Sequence, residues 1–537
     1  MALEYEYIVT NGIGNYGDSI NTAQYYNAIG PRMNGGNQTA ANLAFNETKL
    51  RTACTVKRLL VHVPTNARPD ICTVTVLKNG VATALTVAIP AGATGNFEDT
   101  TDSVSFAAGD TICYSITFAA VDASSILVDA FSFIASPASP AFSVGYFIGG
   151  FEALNAGMLT QYYNIFGGVQ GNLIAIAEGD WQYKVKTAQT WSKLSLYIPA
   201  NGNGLTVNTP VKLRKNGVDT ALSVTIPGGN VSPGLLEDNV NSVSLVPGDL
   251  VDIVVYSDVA DIGKIVSWGH LHMESTGSGF RIVGMTFQPA NSSGFNTGAS
   301  YYCYAEQDPQ QANNADTTEL KTRLTSATIR NLQVLTDPSA DSNTSTKAFT
   351  ITVMKNGAAT SETVTVGAGA FGLQEDLANT VPLVSGNTYS IRFNSAAGAG
   401  FFAPSIVACE IGKDVGDLTL VKTATGGNAT FTFKVEGPDG PGAIANQTIL
   451  TVAGTGTVTV SGVAAGPYTV TEVSSPWGWG STGANPQTVT VPSGGTGTLT
   501  FTNTYGPHGG GIGGKRGPTP TGTTSPKVFQ HGLKGYA

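Results

Sequence analysis

The sequence predicts an all-β protein built of tandem β-sandwiches, and three observations predict it. First, one pattern of strand, Asn-Gly turn and strand is written three times: Thr73 to Val87 around Asn79-Gly80, Val211 to Leu222 around Asn216-Gly217, and Ile351 to Thr360 around Asn356-Gly357. Asn-Gly between alternating apolar residues is a strong hairpin signal, because a type I′ turn needs φ > 0 at both central residues. Second, Gly80, Gly217 and Gly357 stand 137 and 140 residues apart, the length of a whole domain rather than of a solenoid unit. Third, the composition suits short strands and many turns. Glycine supplies 66 of 537 residues, 41% are hydrophobic, and only 12% are charged, about half the usual ~25%.

Further elements recur in order around each hairpin. Upstream lies a tyrosine pair, Tyr25-Tyr26, Tyr162-Tyr163 and Tyr301-Tyr302, followed by an alternating strand near 53–63, 187–198 and 324–335. Downstream comes an acidic pair, Glu98-Asp99, Glu237-Asp238 and Glu375-Asp376. A turn follows (Gly109-Asp110, Gly248-Asp249, Gly386-Asn387), and a strand near 111–118, 250–256 and 388–393 closes each copy. Seven to nine short strands per copy, separated by turn signals, match a sandwich or jelly roll. The expected domains are 1–136, 137–276 and 277–413, working as a rod of modules.

Residues 414–505 change character. Lys422-Thr423 sits in an opening strand, followed by Phe431-Thr432-Phe433-Lys434-Val435, the turn Gly437-Pro438-Asp439-Gly440, the strand Tyr468-Thr469-Val470-Thr471-Glu472, and a last strand ending Phe501-Thr502-Asn503-Thr504-Tyr505. These segments, in this order, resemble the CnaB-type (prealbumin-like, Ig-like) domains of Gram-positive pilins and surface proteins. That resemblance implies an intramolecular isopeptide bond between Lys422 and Asn503, promoted by Glu472. The chemistry is consistent with it. Burial favours a neutral, nucleophilic amine and a protonated carboxyl, and an acid beside the Asn side chain can polarise its carbonyl. The bond would do a disulfide's work without an oxidising compartment. The remaining 506–537 form a Gly/Pro-rich tail with Lys515, Arg516, Lys527, Lys534 and no acidic residue. It opens as a flexible linker and ends in a run, Val528 to Tyr536, apolar enough for an anchoring peptide.

Other constellations lead to weaker chemistry. Tyr25, Tyr26, Tyr162, Tyr163, Trp477 and Trp479 could stack on sugar rings, although aromatic residues repeated in three copies suit packing as well. One Glu-Asp pair per copy falls short of the six to eight oxygens calcium takes, so the pairs read as turn and strand-start residues and no metal is expected. His270-Leu271-His272 is at most half a zinc site. Cys54, Cys72, Cys113, Cys303 and Cys409 lack CxxC spacing and read as buried thiols. No G-x-S-x-G, H-E-x-x-H or P-loop is present, so no enzyme and no cofactor are expected.

A net charge of −9 argues against a nucleic-acid partner. No apolar run of about 18 residues exists to span a membrane. The start, Met1-Ala2-Leu3-Glu4-Tyr5, lacks the basic and apolar regions of a signal peptide, which leads one to expect synthesis in a cytoplasm. The three copies resemble, more loosely, jelly-roll modules of tailed-phage virion proteins. That resemblance implies a non-enzymatic capsid decoration, head-fibre or tail-fibre protein used for display, particle stabilisation or host attachment. Its partners would be other virion proteins and a host-surface glycan, and it would assemble as a homotrimer that buries edge strands. The CnaB resemblance alone implies instead a bacterial surface adhesin or pilin-like subunit. A glycan-binding tail-spike component is a third alternative.

Overall fold

The computed structural model describes residues 4–10, 24–27, 47–119, 124–128, 130–137, 141–153, 160–166, 178–198, 205–229, 234–261, 265–286, 295–303, 320–321, 326–336, 343–384, 386–438, 442 and 444–506. For 8–10, 24–27, 142–153, 180, 265–270, 286, 320–321 and 326 the description is limited to the backbone. The anchoring peptide expected in the tail lies outside the described residues.

The first copy shows how the chain folds. Its eight main strands are β1 (Tyr5–Thr10), β2 (Gln24–Asn27), β3 (Cys54–Val63), β4 (Cys72–Lys78), β5 (Val81–Ile89), β6 (Gly95–Glu98), β7 (Thr111–Phe118) and β8 (Ala130–Pro137), with the short strands Ser103–Phe106 on β3 and Thr48–Lys49 on β7. One sheet runs β1-β8-β3-β6 and the other β2-β7-β4-β5. That is the eight-stranded jelly-roll order. The second copy repeats it with Ala141–Ala153, Ile265–Thr276, Gln189–Ile198 and Gly234–Leu245 in one sheet, and Thr160–Tyr163, Leu250–Tyr256, Thr209–Lys215 and Val218–Ile226 in the other. The third does so with Phe280–Thr286, Ile406–Gly412, Ser326–Thr336 and Gly372–Val384 opposite Ser300–Cys303, Thr388–Ser395, Phe349–Lys355 and Ala358–Val366.

Turn chemistry fixes the register of each copy. The hairpin turns take φ of 50° and 72° at Asn79-Gly80, 51° and 76° at Asn216-Gly217, and 50° and 74° at Asn356-Gly357, as a type I′ turn requires. The asparagine also serves the next turn: Asn79 accepts from the Thr111 N–H and donates to Asp110, both at 2.8 Å. The aspartate of each acidic pair is a backbone clamp. Asp99 accepts from the N–H groups of Thr86, Thr101 and Asp102, tying β5 to the chain after β6. Asp238 and Asp376 do the same.

Two expectations need correcting. Each copy continues past its expected closing strand into an eighth: β8, Ile265–Thr276 and Ile406–Gly412. β8 and Ile406–Gly412 are buried along almost their whole length, so they carry no alternation from which a strand face could be read. Nor are the copies strung out as a rod. One core cluster runs through copies one and two and includes Ile282, Leu335, Ile406 and Ala408 of copy three, while another joins Leu60, Ala130 and Ile134 of copy one to the core of copy three.

The last domain is an Ig-like, CnaB-like sandwich with its own core of Leu418, Leu420, Phe431, Phe433, Val470, Phe501 and neighbours, joined to the copies through Val415, which belongs to their core cluster. One sheet is Thr455–Ala464, Val415–Thr425, Thr496–Tyr505 and Trp479–Ser481; the other is Gln447–Leu450, Thr430–Glu436, Gly466–Ser474 and Gln487–Val491. Its first and last strands lie side by side and parallel, with Ala424 opposite Asn503.

Candidate functional site

Strand parity in the terminal domain brings three polar side chains into one layer of an apolar core. In the first strand Leu418, Leu420, Lys422 and Ala424 face inward; in the last, Leu499, Phe501 and Asn503 do. On the opposing sheet Tyr468 and Val470 face inward, and Glu472 continues that parity. Each strand thus spends core-facing slots on hydrophobes and the next one on a functional group. The sequence-predicted Lys422, Glu472 and Asn503 meet inside the sandwich.

Their contacts are short and mutual. Lys422 Nζ donates to Glu472 Oε2 at 2.7 Å and to Asn503 Oδ1 at 2.6 Å, and Asn503 Nδ2 donates to Glu472 Oε1 at 2.6 Å. Lys422 and Asn503 are both 0% exposed. The Lys422 ammonium lies over the Phe431 ring, 4.2 Å from its centroid. Burial pushes the Lys422 amine below the usual lysine range, and hydrogen bonding and charge from Glu472 pull it partly back. The carboxyl bridges the two nitrogens, whereas the sequence reading has it polarising the Asn503 carbonyl. That carbonyl oxygen accepts from the lysine instead. Asn485 holds the Glu472 backbone from both sides, accepting from its N–H and donating to its carbonyl.

The aromatic candidates separate. Trp479 is buried, edge-on to Phe431 at 5.6 Å and tilted against Tyr505 at 5.5 Å. Tyr163 is likewise buried, with its hydroxyl on Gln161. Neither offers a face to a sugar, because each fills a core, and this corrects their expected role. Tyr162 is half-buried beside the Arg214 guanidinium. Tyr25 and Tyr26 lie in β2, their side chains outside the described residues. Trp477 is 92% exposed. His272 is buried, and the His270 side chain is outside the described residues. Among the described residues no group of three or more His, Cys, Asp or Glu side chains could hold a metal ion. No helix among them is long and apolar enough to cross a membrane.

Two features escaped the sequence. Asp252 lies fully buried beside Glu178 and Arg214; burial first, then Glu178, pushes its carboxyl up to about 7 against the pull of Arg214. The equivalent slots hold Cys113 and Ser390, so a comparison of copies would have marked it. Glu362 occupies the core slot of Leu85 and Leu222 and accepts from the Leu332 N–H at 2.8 Å.

The fold and this site define a non-disulfide, multi-sandwich scaffold with a Lys-Glu-Asn cluster in its last domain. Residues 411–506 match a family described as a domain of unknown function (DUF5979). No curated protein matches the chain. Among solved structures it is similar to two B repeat units of the collagen binding protein of Staphylococcus aureus, at 11% identity and TM-score 0.14, covering 94% of this chain and 100% of that one. It is also similar to the pilus adhesin SpaC of Lactobacillus rhamnosus GG in its open conformation, at 12% identity and TM-score 0.16, covering 84% of this chain and 57% of that one. Scores this low carry no functional argument.

Proposed function

We propose that this chain is a non-enzymatic structural protein displayed on a surface, adhesin- or pilin-like in build, whose last domain locks itself with one covalent bond. The observation that carries the reading is the closed hydrogen-bonded triangle of Lys422, Glu472 and Asn503 in a buried core. A buried lysine is costly, and this one sits against an amide that can accept it. The neutral Nζ attacks Cγ of Asn503, a C–N bond forms, the Cγ–Nδ2 bond breaks, and ammonia leaves. Glu472 contacts both nitrogens, so it can take the proton Nζ sheds and return one to the departing Nδ2, ending as it began. The reaction runs once per chain. Intact mass spectrometry tests it: the purified chain is lighter than its sequence by one ammonia, and a full-weight chain refutes the bond.

The resemblance of residues 414–505 to CnaB-type domains supports a bacterial cell-surface setting. A virion setting, as a capsid decoration or fibre protein touching other virion proteins or a host glycan, is the second reading. It draws on the cysteines: no disulfide joins the five, and Cys72, Cys113, Cys303 and Cys409 are buried. Such thiols suit folding in a reducing compartment. Antibody labelling in electron micrographs separates the two, since gold on cell walls supports the first and gold on particles the second.

A further inference from the structure

The acidic pair that clamps each copy has a second use. Glu237 of copy two receives Lys49 of copy one at 3.1 Å and also pairs with Arg51. Glu375 of copy three receives Lys184 of copy two at 3.2 Å and also pairs with Lys186. The two joints are the same joint: a K-x-R or K-x-K segment of one copy on the glutamate of the next. The third copy writes the pattern again as Lys321-Thr322-Arg323, while the equivalent glutamate of the first copy, Glu98, pairs with Arg58 of its own copy at 2.9 Å.

The outer sheet face tells the same story. A left-handed residue in the third strand of each copy, Arg58, Lys193 and Asn331, sets a common register. Just before it Lys57, Ser192 and Arg330 pair with Ile134, Glu274 and Glu410. Thr52 of copy one donates to Glu274, and Thr187 of copy two donates to Glu410. At the remaining position Ile134 is 0% exposed and clusters with copy three, along with Leu60 and Ala130. There the sequence of copy three replaces the threonine by Leu324. Copy three also reaches copy one directly, since Arg281 donates to the Glu6 carbonyl at 2.8 Å and stacks over Tyr7.

We infer that the three jelly rolls close into a pseudo-threefold ring within one chain, so that a single chain does the work of a trimer. All three outer faces are covered by another copy. Two joints carry buried acids, each paired with a cation of its own copy (Glu274 with Lys193 at 2.8 Å, Glu410 with Arg330 at 3.1 Å) and reached by a neighbour's threonine, and the third is apolar. An acid buried against an apolar face is strongly disfavoured, so each copy recognises one neighbour and the order of the ring is set.

Light scattering and small-angle X-ray scattering on the full chain test this. The expected particle has the mass of one chain, 55.3 kDa, at all micromolar concentrations, and a radius of gyration near the ~24 Å of one compact body of this length. A mass of three chains, or an extended profile, overturns the inference. Ile134→Glu should open the apolar joint and enlarge the particle. In case that variant misfolds, Glu237→Lys should open a charged joint, and adding Lys49→Glu and Arg51→Glu should close it again. An unchanged radius in both single variants overturns the inference as surely as a trimer mass.

Discussion

Lys186 in the ring and Lys422 in the last domain make an instructive pair. Both are nearly inaccessible, 6% and 0% exposed at the side chain, and both face a glutamate that is itself largely covered, 15% and 4% exposed. In both, burial lowers the amine and the partner glutamate raises it. Yet Glu375 is shared by two cations, Lys184 and Lys186, while Glu472 is shared by an amine and an amide. The first arrangement can only remain an ion pair. The second puts an electrophilic carbon beside a nucleophile, so the third residue decides whether burial yields adhesion or chemistry.

The largest test of that contrast is Glu472→Gln, which keeps the shape and removes the proton carrier. The variant should retain its full mass, and the last domain should lose about 4–5 kcal/mol of stability in denaturant melts, the chain-entropy value for a link spanning some 80 residues. Glu375→Ala should instead leave the mass loss untouched. It should weaken the joint between copies two and three by about 1–3 kcal/mol, between the values for exposed and buried pairs, and be read in a separate, earlier transition.

Glu362 sharpens the comparison within the ring. Burial first, then the charge of Asp376, pushes its carboxyl up to about 7 from 4.5, against the Leu332 N–H, which favours the charged form. The native state therefore holds a proton that the unfolded chain releases. Its stabilising contribution is full below about pH 4.5 and is lost as pH rises through about 7. Glu362→Leu, the residue of the other copies, should flatten this dependence. Its advantage over wild type should be about 2–3 kcal/mol larger at pH 8 than at pH 5, in paired thermal melts. The smallest effect belongs to Trp477→Ala, which should shift stability by no more than about 0.5 kcal/mol. If that exposed ring contacts a glycan, array binding falls while the melting curve stays.

What the sequence disclosed follows from where its signals are local. The Asn-Gly hairpins were legible because the turn demands those residues, and the Lys-Glu-Asn site because residues 414–505 resemble CnaB-type domains and place Lys422, Glu472 and Asn503 at the positions of that family's cross-link. The eighth strand was hidden because its residues are covered on both faces. The joints were hidden because Glu237 and Glu375 look like turn residues until a neighbouring copy supplies the lysines. Trp479 and Trp477 are two residues apart in sequence, and only packing tells the buried ring from the exposed one.

The parallel neighbours at the two ends of the last domain have a mechanical consequence. Tension entering at Val415 and leaving at Gly506 would normally shear the first strand from the last. With Lys422 joined to Asn503, the load crosses directly from one to the other, and the 80 or so intervening residues are bypassed. A domain wired this way should not lengthen when pulled, and whatever it tethers would stay at a fixed reach under flow or drag.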